Sequence, residues 1–294
     1  MDPGIWFSRG DGAVIAGRRI WPSAAKHVLL IGGALLMLYP LLWMLSASFK
    51  PAGEIFANLD LIPGQPTLSN YTDGWNGLGQ PFTGFFLNSI ALCALAVMGN
   101  LSSCTLAAFA FARLRFPLRR LFFALALLTI MLPFHATVVP QYILFKALGW
   151  IGTFLPIVAP KFLAVDAFFV FLLVQFIRTI PRELDDAAKI DGAGPFRIFA
   201  RVVLPLTVPA LATTAIFTFI WTWNDFFSQL LYLGSTVQSF TVPVALRNFI
   251  DVTSGSSWGQ LIAMSLLSLV PIFGFFLAFQ RLLLDGISTT GLRG

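Results

Sequence analysis

The sequence predicts an all-α polytopic membrane protein with six transmembrane helices, and three observations support this. Of the 294 residues, 57% are hydrophobic and only 11% are charged, whereas soluble domains carry about 25% charged residues. The mean hydropathy of +0.82 excludes intrinsic disorder, which requires low hydrophobicity and high charge. The apolar residues also fall into separate runs of roughly 20 residues, the length that a helix needs to cross a bilayer.

The six runs differ in their charge content. The first two contain no Asp, Glu, Lys or Arg, the fourth contains Lys161 and Asp166, and the fifth has Asp225 near its end. The first run exceeds the roughly 7–15 apolar residues of a signal peptide, so we expect a retained helix. The predicted spans are residues 27–48, 85–111, 121–141, 155–177, 206–231 and 259–280.

The positive residues predict the orientation of the chain. Of the 19 Lys and Arg residues, 15 fall in the N-terminal segment, the second and fourth connecting loops, and the C-terminal end. Because positive residues are enriched in cytoplasmic loops, we expect both termini in the cytoplasm. The resulting organisation is a cytoplasmic segment 1–26, a transmembrane domain 27–283 with an outer loop 50–83 and an inner loop 178–205, and a cytoplasmic tail 284–294.

The inner loop 178–205 predicts two short helices joined by a turn. The first helix has acidic residues in its first turn and Lys189 in its last turn, which suits the helix dipole. Gly192 is typical of a helix C-terminus. After Pro195 the apolar residues recur at helical spacing until Pro205. By this pattern alone, the loop is either an amphipathic segment lying on lipid or a docking element for a soluble partner.

The same loop carries a specific motif. The run Asp186-Ala187-Ala188, followed by Gly192, Phe199 and Leu204-Pro205, resembles the EAA loop of ABC importer permeases, with Asp186 in place of the usual Glu. Over nearly its whole length the chain resembles carbohydrate-uptake permeases of the maltose-transporter type. The further matching segments are Asn70-Tyr71, Asn88-Ser89, the outer turn 148–153, Trp223-Asn224-Asp225, Phe279-Gln280-Arg281 and the tail 286–294.

The resemblance implies the type I ABC importer permease fold and assigns three contact regions. The helix of the EAA loop would dock on a cytoplasmic ATPase dimer, through Asp185, Asp186, Ala187, Ala188, Asp191, Gly192, Ala193, Phe199, Leu204 and Pro205. The tail would approach the same ATPase through Gly286, Thr289, Gly291 and Gly294. The outer turn would meet an extracytoplasmic sugar-binding protein through Leu148, Gly149, Gly152 and Thr153.

The resemblance also implies the remaining partners and the location. A second, different permease subunit would complete the pathway for the sugar substrate in a bacterial or archaeal inner membrane. The chain itself would hold no cofactor, since ATP-Mg would bind to the ATPase. No basic stripe indicates nucleic acid.

Four polar residues are candidates for a substrate cavity: Asp166, Asn224, Asp225 and Asn88. A charge such as Asp166 near the bilayer middle costs at least about 2.5–3.5 kcal/mol on an isolated helix. Asp166 therefore either accepts sugar hydroxyls in a polar cavity or pairs with a neighbouring subunit. His135 is expected to be an interfacial histidine.

The predicted function is the membrane-spanning subunit of an ATP-driven, binding-protein-dependent sugar importer that works by alternating access. The chain lacks the Gly-x-x-x-x-Gly-Lys-Ser/Thr phosphate loop, so we expect a transport subunit and not an enzyme. An intramembrane enzyme would need a matched nucleophile, acid pair or metal set at membrane depth. An ion-coupled carrier is the third alternative, which ATP dependence of uptake would distinguish.

Overall fold

The protein is described here by a computed structural model, which covers residues 20–234, 236–250 and 257–290, with side chains placed except at 20–24 and 282–290. Within these ranges every regular element is a helix. The α-helices are α1 (Ile20–Ser48), α2 (Ser69–Asn76), α3 (Phe82–Arg113), α4 (Arg119–Ile130), α5 (Phe134–Ala147), α6 (Leu155–Val158), α7 (Ala167–Thr179), α8 (Glu183–Ile190), α9 (Pro195–Ile198), α10 (Leu204–Leu206), α11 (Val208–Asn224), α12 (Phe226–Leu233), α13 (Val242–Arg247) and α14 (Trp258–Thr290).

The described helices contain four segments long and apolar enough to cross a membrane, or up to six if each of two bent pairs is one span. The upper number agrees with the six predicted spans. The first bent pair is α4 and α5, which meet at an angle of 102°. Pro133 precedes α5, and because a proline disfavours helical geometry in the residue before it, the two helices separate there.

The fourth and fifth predicted spans are also interrupted. In the fourth, a 3₁₀ helix, Ala159–Leu163, follows α6, and Ala164 adopts a left-handed conformation before α7 begins. The fifth span is shorter than the predicted 206–231, because α11 ends at Asn224 and Asp225 starts a separate helix. At the other end of α11, the chain bends by 75° from the 195–206 segment.

The central element is α3, which packs against both α7 and α11, while α11 also packs against α14. One buried cluster lies where the second half of α3 meets α7 and the 195–206 segment, and it includes Phe109 and Phe199. A second cluster joins the first half of α3 to α11, α13 and α14, and it includes Phe85 and Met264. Helix α3 therefore connects the inner loop, which packs on its second half, with α13 and the start of α14, which pack on its first half.

The outer loop 50–83 is tied to the helices by two polar side chains. Lys50 is fully buried, and its Nζ donates to the backbone oxygens of Asn58 and Asp60 at 2.7 Å each. Asn70 Nδ2 donates to the backbone oxygens of Ser48 and Lys50 at 2.9 and 2.8 Å. Two buried side chains therefore hold the loop through hydrogen bonds to backbone oxygens.

Helix α1 packs against α14 along part of its length, but its middle carries exposed apolar side chains all round. Val28, Leu36 and Met37 are each at least 70% exposed. A helix that is apolar on every side is suited to hydrocarbon or to a partner within the membrane.

Candidate functional site

The inner loop forms the two short helices that the sequence predicts. The first, α8, carries Glu183, Asp185 and Asp186 in its first turn and Lys189 in its last. It starts two residues after Pro181. The turn after α8 depends on Gly192, whose φ of +75° lies in the left-handed region that side chains with a Cβ rarely adopt.

The two neighbouring aspartates of α8 have opposite environments. Asp185 is buried, and its Oδ2 lies 3.3 Å from Arg113 Nε at the end of α3, with side-chain exposures of 9% and 4%. Arg113 Nη2 also donates to the backbone oxygen of Ile180 at 2.7 Å. Arg182 Nη2 donates to the backbone oxygen of Ala112 at 3.3 Å. Two arginines thus fasten the start of α8 to the end of α3.

Asp186 faces outward. Its Oδ1 lies 2.7 Å from Lys189 Nζ, and the hydrogen bond from Lys189 holds the pKa of the Asp186 carboxyl below its ordinary value. The residue is therefore a carboxylate at neutral pH, on an exposed surface.

The remaining residues of the predicted docking set divide by burial. Ala188, Ala193 and Leu204 are half-buried and pack on the inner cluster, and Phe199 is buried with its ring centroid 5.2 Å from that of Phe109. Ala187, Asp191, Gly192 and Pro205 are exposed. Three large apolar side chains beside them are also exposed and were missing from the predicted set: Leu184, Ile190 and Phe196.

The segment that joins this surface to α11 has a π-helical turn, Phe199–Val203. The Leu204 N–H donates to the Phe199 oxygen, five residues earlier. Pro205 has no N–H to offer to the preceding turn, so the α-helical pattern is interrupted there.

The outer turn 148–153 contains two glycines with left-handed backbones, Gly149 (φ +69°) and Gly152 (φ +85°). The Gly152 N–H donates to the Tyr232 oxygen at 2.8 Å. Thr153 Oγ1 donates to the Trp150 oxygen at 2.7 Å. Leu148 is half exposed and lies at the rim of a large cavity.

This cavity has a volume of about 1070 Å³ and opens between α5, the α6–α7 segment, the end of α11 and α12. Its lining is mainly apolar and aromatic, as is typical of small-molecule sites. The ionisable residues along it are His135, Lys161, Asp166 and Asp225, and the polar ones include Gln141, Thr222, Ser228 and Tyr232.

The structure places two of the four predicted cavity residues in this lining, Asp166 and Asp225. Asp225 Oδ1 accepts the Ser228 N–H at 3.0 Å and so caps α12. Asn88 and Asn224 do not line the cavity. Asn88 Nδ2 instead donates to the backbone oxygens of Gln238 and Phe240, at 2.8 Å each, and Asn224 donates to the Ile220 oxygen of its own helix.

Asp166 is paired within the chain. Its Oδ2 lies 2.7 Å from Lys161 Nζ and accepts a hydrogen bond from Asn100 Nδ2 at 2.6 Å. Asn100 is fully buried on α3 and also donates to Thr218 Oγ1 of α11 at 3.1 Å. Lys161 and Asn100 were absent from the predicted set. Two opposite charges five residues apart in one span are the signal that could have identified Lys161.

The backbone at Lys161 is held close to α3. A Cβ at Gly99 would lie 2.9 Å from the Lys161 Cβ and 3.1 Å from its backbone carbon, so only glycine permits this approach. Ser103 Oγ donates to the Lys161 oxygen at 2.6 Å. Small residues four apart on α3 therefore seat the segment, as is common between membrane helices.

The predicted tail contacts lie only partly within the described residues. Gly286 and Thr289 lie on the last turns of α14, whereas Gly291 and Gly294 lie outside the described residues. Among the described His, Cys, Asp and Glu residues, no group of three could hold a metal ion.

Comparison with known proteins gives three similarities. Residues 99–284 match the family described as binding-protein-dependent transport system inner membrane component. The trehalose transport system permease protein SugB of Mycobacterium tuberculosis is 34% identical over 282 residues, which covers 94% of this chain and 99% of that protein. The sn-glycerol-3-phosphate transport system permease protein UgpE of Escherichia coli is 33% identical over 275 residues, with 92% and 97% coverage.

The fold is similar to that of a solved structure. One chain of a bacterial ABC transporter that imports the acidic polysaccharide alginate superposes with a TM-score of 0.78 and 23% identity, covering 92% of this chain and 99% of that chain.

Proposed function

This chain belongs to the family of inner membrane components of binding-protein-dependent transport systems, and from this premise we propose that it is the permease subunit of an ATP-driven sugar importer. The names of its relatives support a carbohydrate or a related polyol derivative as substrate, since one transports trehalose and another sn-glycerol 3-phosphate. The chain itself performs no covalent chemistry in this proposal.

The main support for the proposal is that one side of α8 packs against the membrane helices while its other side is exposed. The buried side is tied to α3 through the Arg113–Asp185 ion pair. The exposed side presents Asp186 and Ile190, together with Phe196 of α9, and exposed apolar side chains beside a carboxylate suit contact with a soluble protein. We infer that this surface docks in a cleft of a cytoplasmic ATPase dimer.

The ATPase partner supplies the energy. The chain has no phosphate loop for ATP, so ATP-Mg is bound by the partner and no cofactor is held here. The tail from Gly286 onward is proposed to reach toward the same ATPase.

Transport proceeds by alternating access. ATP binding closes the ATPase dimer, which displaces α8 together with the helices fastened to it. Helix α7, whose 13 residues span about 20 Å, runs from Asp166 at the cavity to Thr179 just before α8. A displacement at α8 is thus carried by α3 and α7 to the residues that line the cavity, because packed helices move as rigid bodies.

Two further partners complete the proposed assembly. A second, different permease subunit would close the open side of the cavity and, with lipid, cover the exposed faces of α1. The outer turn, with Leu148, Gly149, Gly152 and Thr153, would contact an extracytoplasmic sugar-binding protein. The two glycines with left-handed backbones support this, because they allow a tight turn that side chains with a Cβ rarely adopt.

The proposed orientation follows the distribution of positive residues. Segment 1–26, the inner loop 178–205 and the tail 284–294 lie in the cytoplasm, and the loop 50–83 lies outside. The helices between 27 and 283 occupy the inner membrane of a bacterium or archaeon.

Purification of the tagged full chain from its native membrane in mild detergent tests the proposal. We expect an ATPase subunit and a second permease to copurify, identified by mass spectrometry. We also expect substrate uptake by membrane vesicles to require ATP and the binding protein. Recovery of the chain alone or as a homo-oligomer, with uptake driven by an ion gradient, would overturn the proposal in favour of an ion-coupled carrier.

A further inference from the structure

We propose that the cavity beside α7 selects uncharged carbohydrate over phosphorylated or acidic carbohydrate, and that Asp166 determines this selection by neutralising Lys161. The inference rests on the proposed function, since it names the substrate class of the same importer. Family membership does not decide the matter. One relative transports trehalose, which is neutral, and another transports sn-glycerol 3-phosphate, which is an anion.

The charges along the cavity disfavour an anionic ligand. Among the described residues that line it, the only Lys or Arg is Lys161, while two carboxylates, Asp166 and Asp225, are present. Lys161 Nζ lies 2.7 Å from Asp166 Oδ2, so these two charges compensate each other. The carboxylate of Asp225 remains in excess, and its repulsion disfavours an anion in a cavity partly screened from water.

The position of Lys161 is set by its backbone contacts with α3, and its ammonium is paired with Asp166. Its backbone is held against Gly99, and its carbonyl accepts the Ser103 hydroxyl. An anion that took the place of Asp166 on the Lys161 ammonium would break this ion pair, which Asn100 also supports through a hydrogen bond to Asp166 at 2.6 Å. Removing one partner from a partly desolvated ion pair is costly, because the other charge is left uncompensated.

The Asp166 carboxylate also has an oxygen that can accept a hydrogen bond from a hydroxyl group. Lys161 and Asn100 both approach Oδ2 of Asp166, and Oδ1 accepts no hydrogen bond from the described side chains or backbone. The Asp166 side chain is one quarter exposed and lines the cavity. A carboxylate oxygen of this kind accepts the O–H donors of a sugar.

Aromatic walls complete the site. The rings of Phe134, Trp150, Trp221, Phe227 and Tyr232 line the cavity. Flat aromatic surfaces pack on the C–H faces of pyranose rings, while a phosphate group gains nothing from them. The volume of about 1070 Å³ lies just above the usual range of about 300–1,000 Å³ for small-molecule sites, which suits a sugar of more than one ring.

The first experiment compares a strain lacking this gene with the strain complemented by the full chain. Both grow in a medium that contains a broad mixture of neutral di- and oligosaccharides, sugar phosphates, glycerol phosphate and uronate oligomers, and depletion of each solute is followed by mass spectrometry. We expect complementation to restore depletion of neutral carbohydrate alone. Restored depletion of phosphorylated or acidic carbohydrate would overturn the inference and leave the proposed importer standing. No difference for any carbohydrate would overturn the proposed function itself.

The second experiment replaces Asp166 with Asn, which leaves Lys161 without its carboxylate. We expect uptake of the neutral sugar identified above to fall by roughly tenfold or more, the usual effect of deleting a charged hydrogen-bond partner. We also expect the 6-phosphate of that sugar to gain in competition against it. Asp73→Asn, which removes an exposed carboxylate of α2 outside the cavity, is the matched control and should behave as the unaltered chain. Unchanged selectivity in Asp166→Asn, with the complex assembled, would contradict the role of Asp166.

Discussion

Arg113 at the end of α3 and Asp185 in the first turn of α8 form a buried ion pair, with Nε and Oδ2 3.3 Å apart. The contact is an ion pair without a well-aligned hydrogen bond, since neither Arg113 Nε nor Asp185 Oδ1 has a hydrogen-bond partner in the described structure. The pair fastens α8 to the central helix α3 through the attraction of two buried opposite charges.

The first prediction concerns this pair. Arg113→Met leaves the Asp185 carboxylate buried and unpaired, so the free energy of unfolding should fall by about 3–5 kcal/mol. SDS titration of the chain in mixed micelles measures this. The double variant Arg113→Met with Asp185→Leu should recover much of the loss, because it leaves no buried charge. If the single variant were as stable as the original, the ion pair would have no structural importance.

The second prediction contrasts two phenylalanines three residues apart. Phe196 is 75% exposed and Phe199 is 8% exposed. Phe196→Ala should weaken copurification of the ATPase and leave stability unchanged, because the ring touches little of its own chain. Phe199→Ala should lower the free energy of unfolding by about 3–5 kcal/mol through the cavity that it leaves. Equal effects of both variants on ATPase binding and on stability would contradict the assignment of Phe196 to the docking surface and of Phe199 to the core.

The third prediction tests the close approach of α3 to Lys161. Gly99→Ala introduces a Cβ 2.9 Å from Lys161 Cβ and from Phe162 Cδ2, so we expect a loss of about 1–3 kcal/mol from overpacking and reduced transport as Lys161 is displaced. Gly274→Ala on α14 is the control, since its added Cβ has nothing within 4 Å. Unfolding free energies and uptake rates of the two variants are compared. If Gly99→Ala changed neither the unfolding free energy nor the uptake rate, the segment around Lys161 would be able to move away from α3 without cost.

The fourth prediction concerns Asp186. Asp186→Glu keeps the charge and restores the residue usual in the EAA motif, so ATPase activity coupled to transport should persist, whereas Asp186→Asn should reduce it. Because the Lys189 hydrogen bond lowers the pKa of Asp186, the favourable contribution of this carboxylate is present above the ordinary Asp pKa and lost as the pH falls through the lowered value. Coupled ATPase rates should therefore not depend on Asp186 titration between about pH 5 and 8. Full coupling in Asp186→Asn would contradict this.

Some of the site was predictable because it depends on neighbours in the chain. The ends of α8 follow from its charges and from Gly192, and the exposed position of Asp186 fits the motif. Two interruptions of the predicted spans had local signals in the sequence, a proline at Pro133 and a capping carboxylate at Asp225. A count of apolar residues along the span does not detect such signals. The role of Asn88 as a clamp on the carbonyls of Gln238 and Phe240 had no local signal, since its partners lie 150 and 152 residues away.

Hydrophobic length, helix caps and motif spacing are local properties, and they are enough to predict an all-α membrane protein with a helical inner loop of the EAA type. Which of two adjacent aspartates is buried depends on long-range packing, since Arg113 reaches Asp185 across the junction of α3 and α8. Long-range packing also brings Asn100 to Asp166, 66 residues away in sequence. A charge inside a membrane domain takes its meaning from the partner that packing places beside it, and packing is a property of the whole chain.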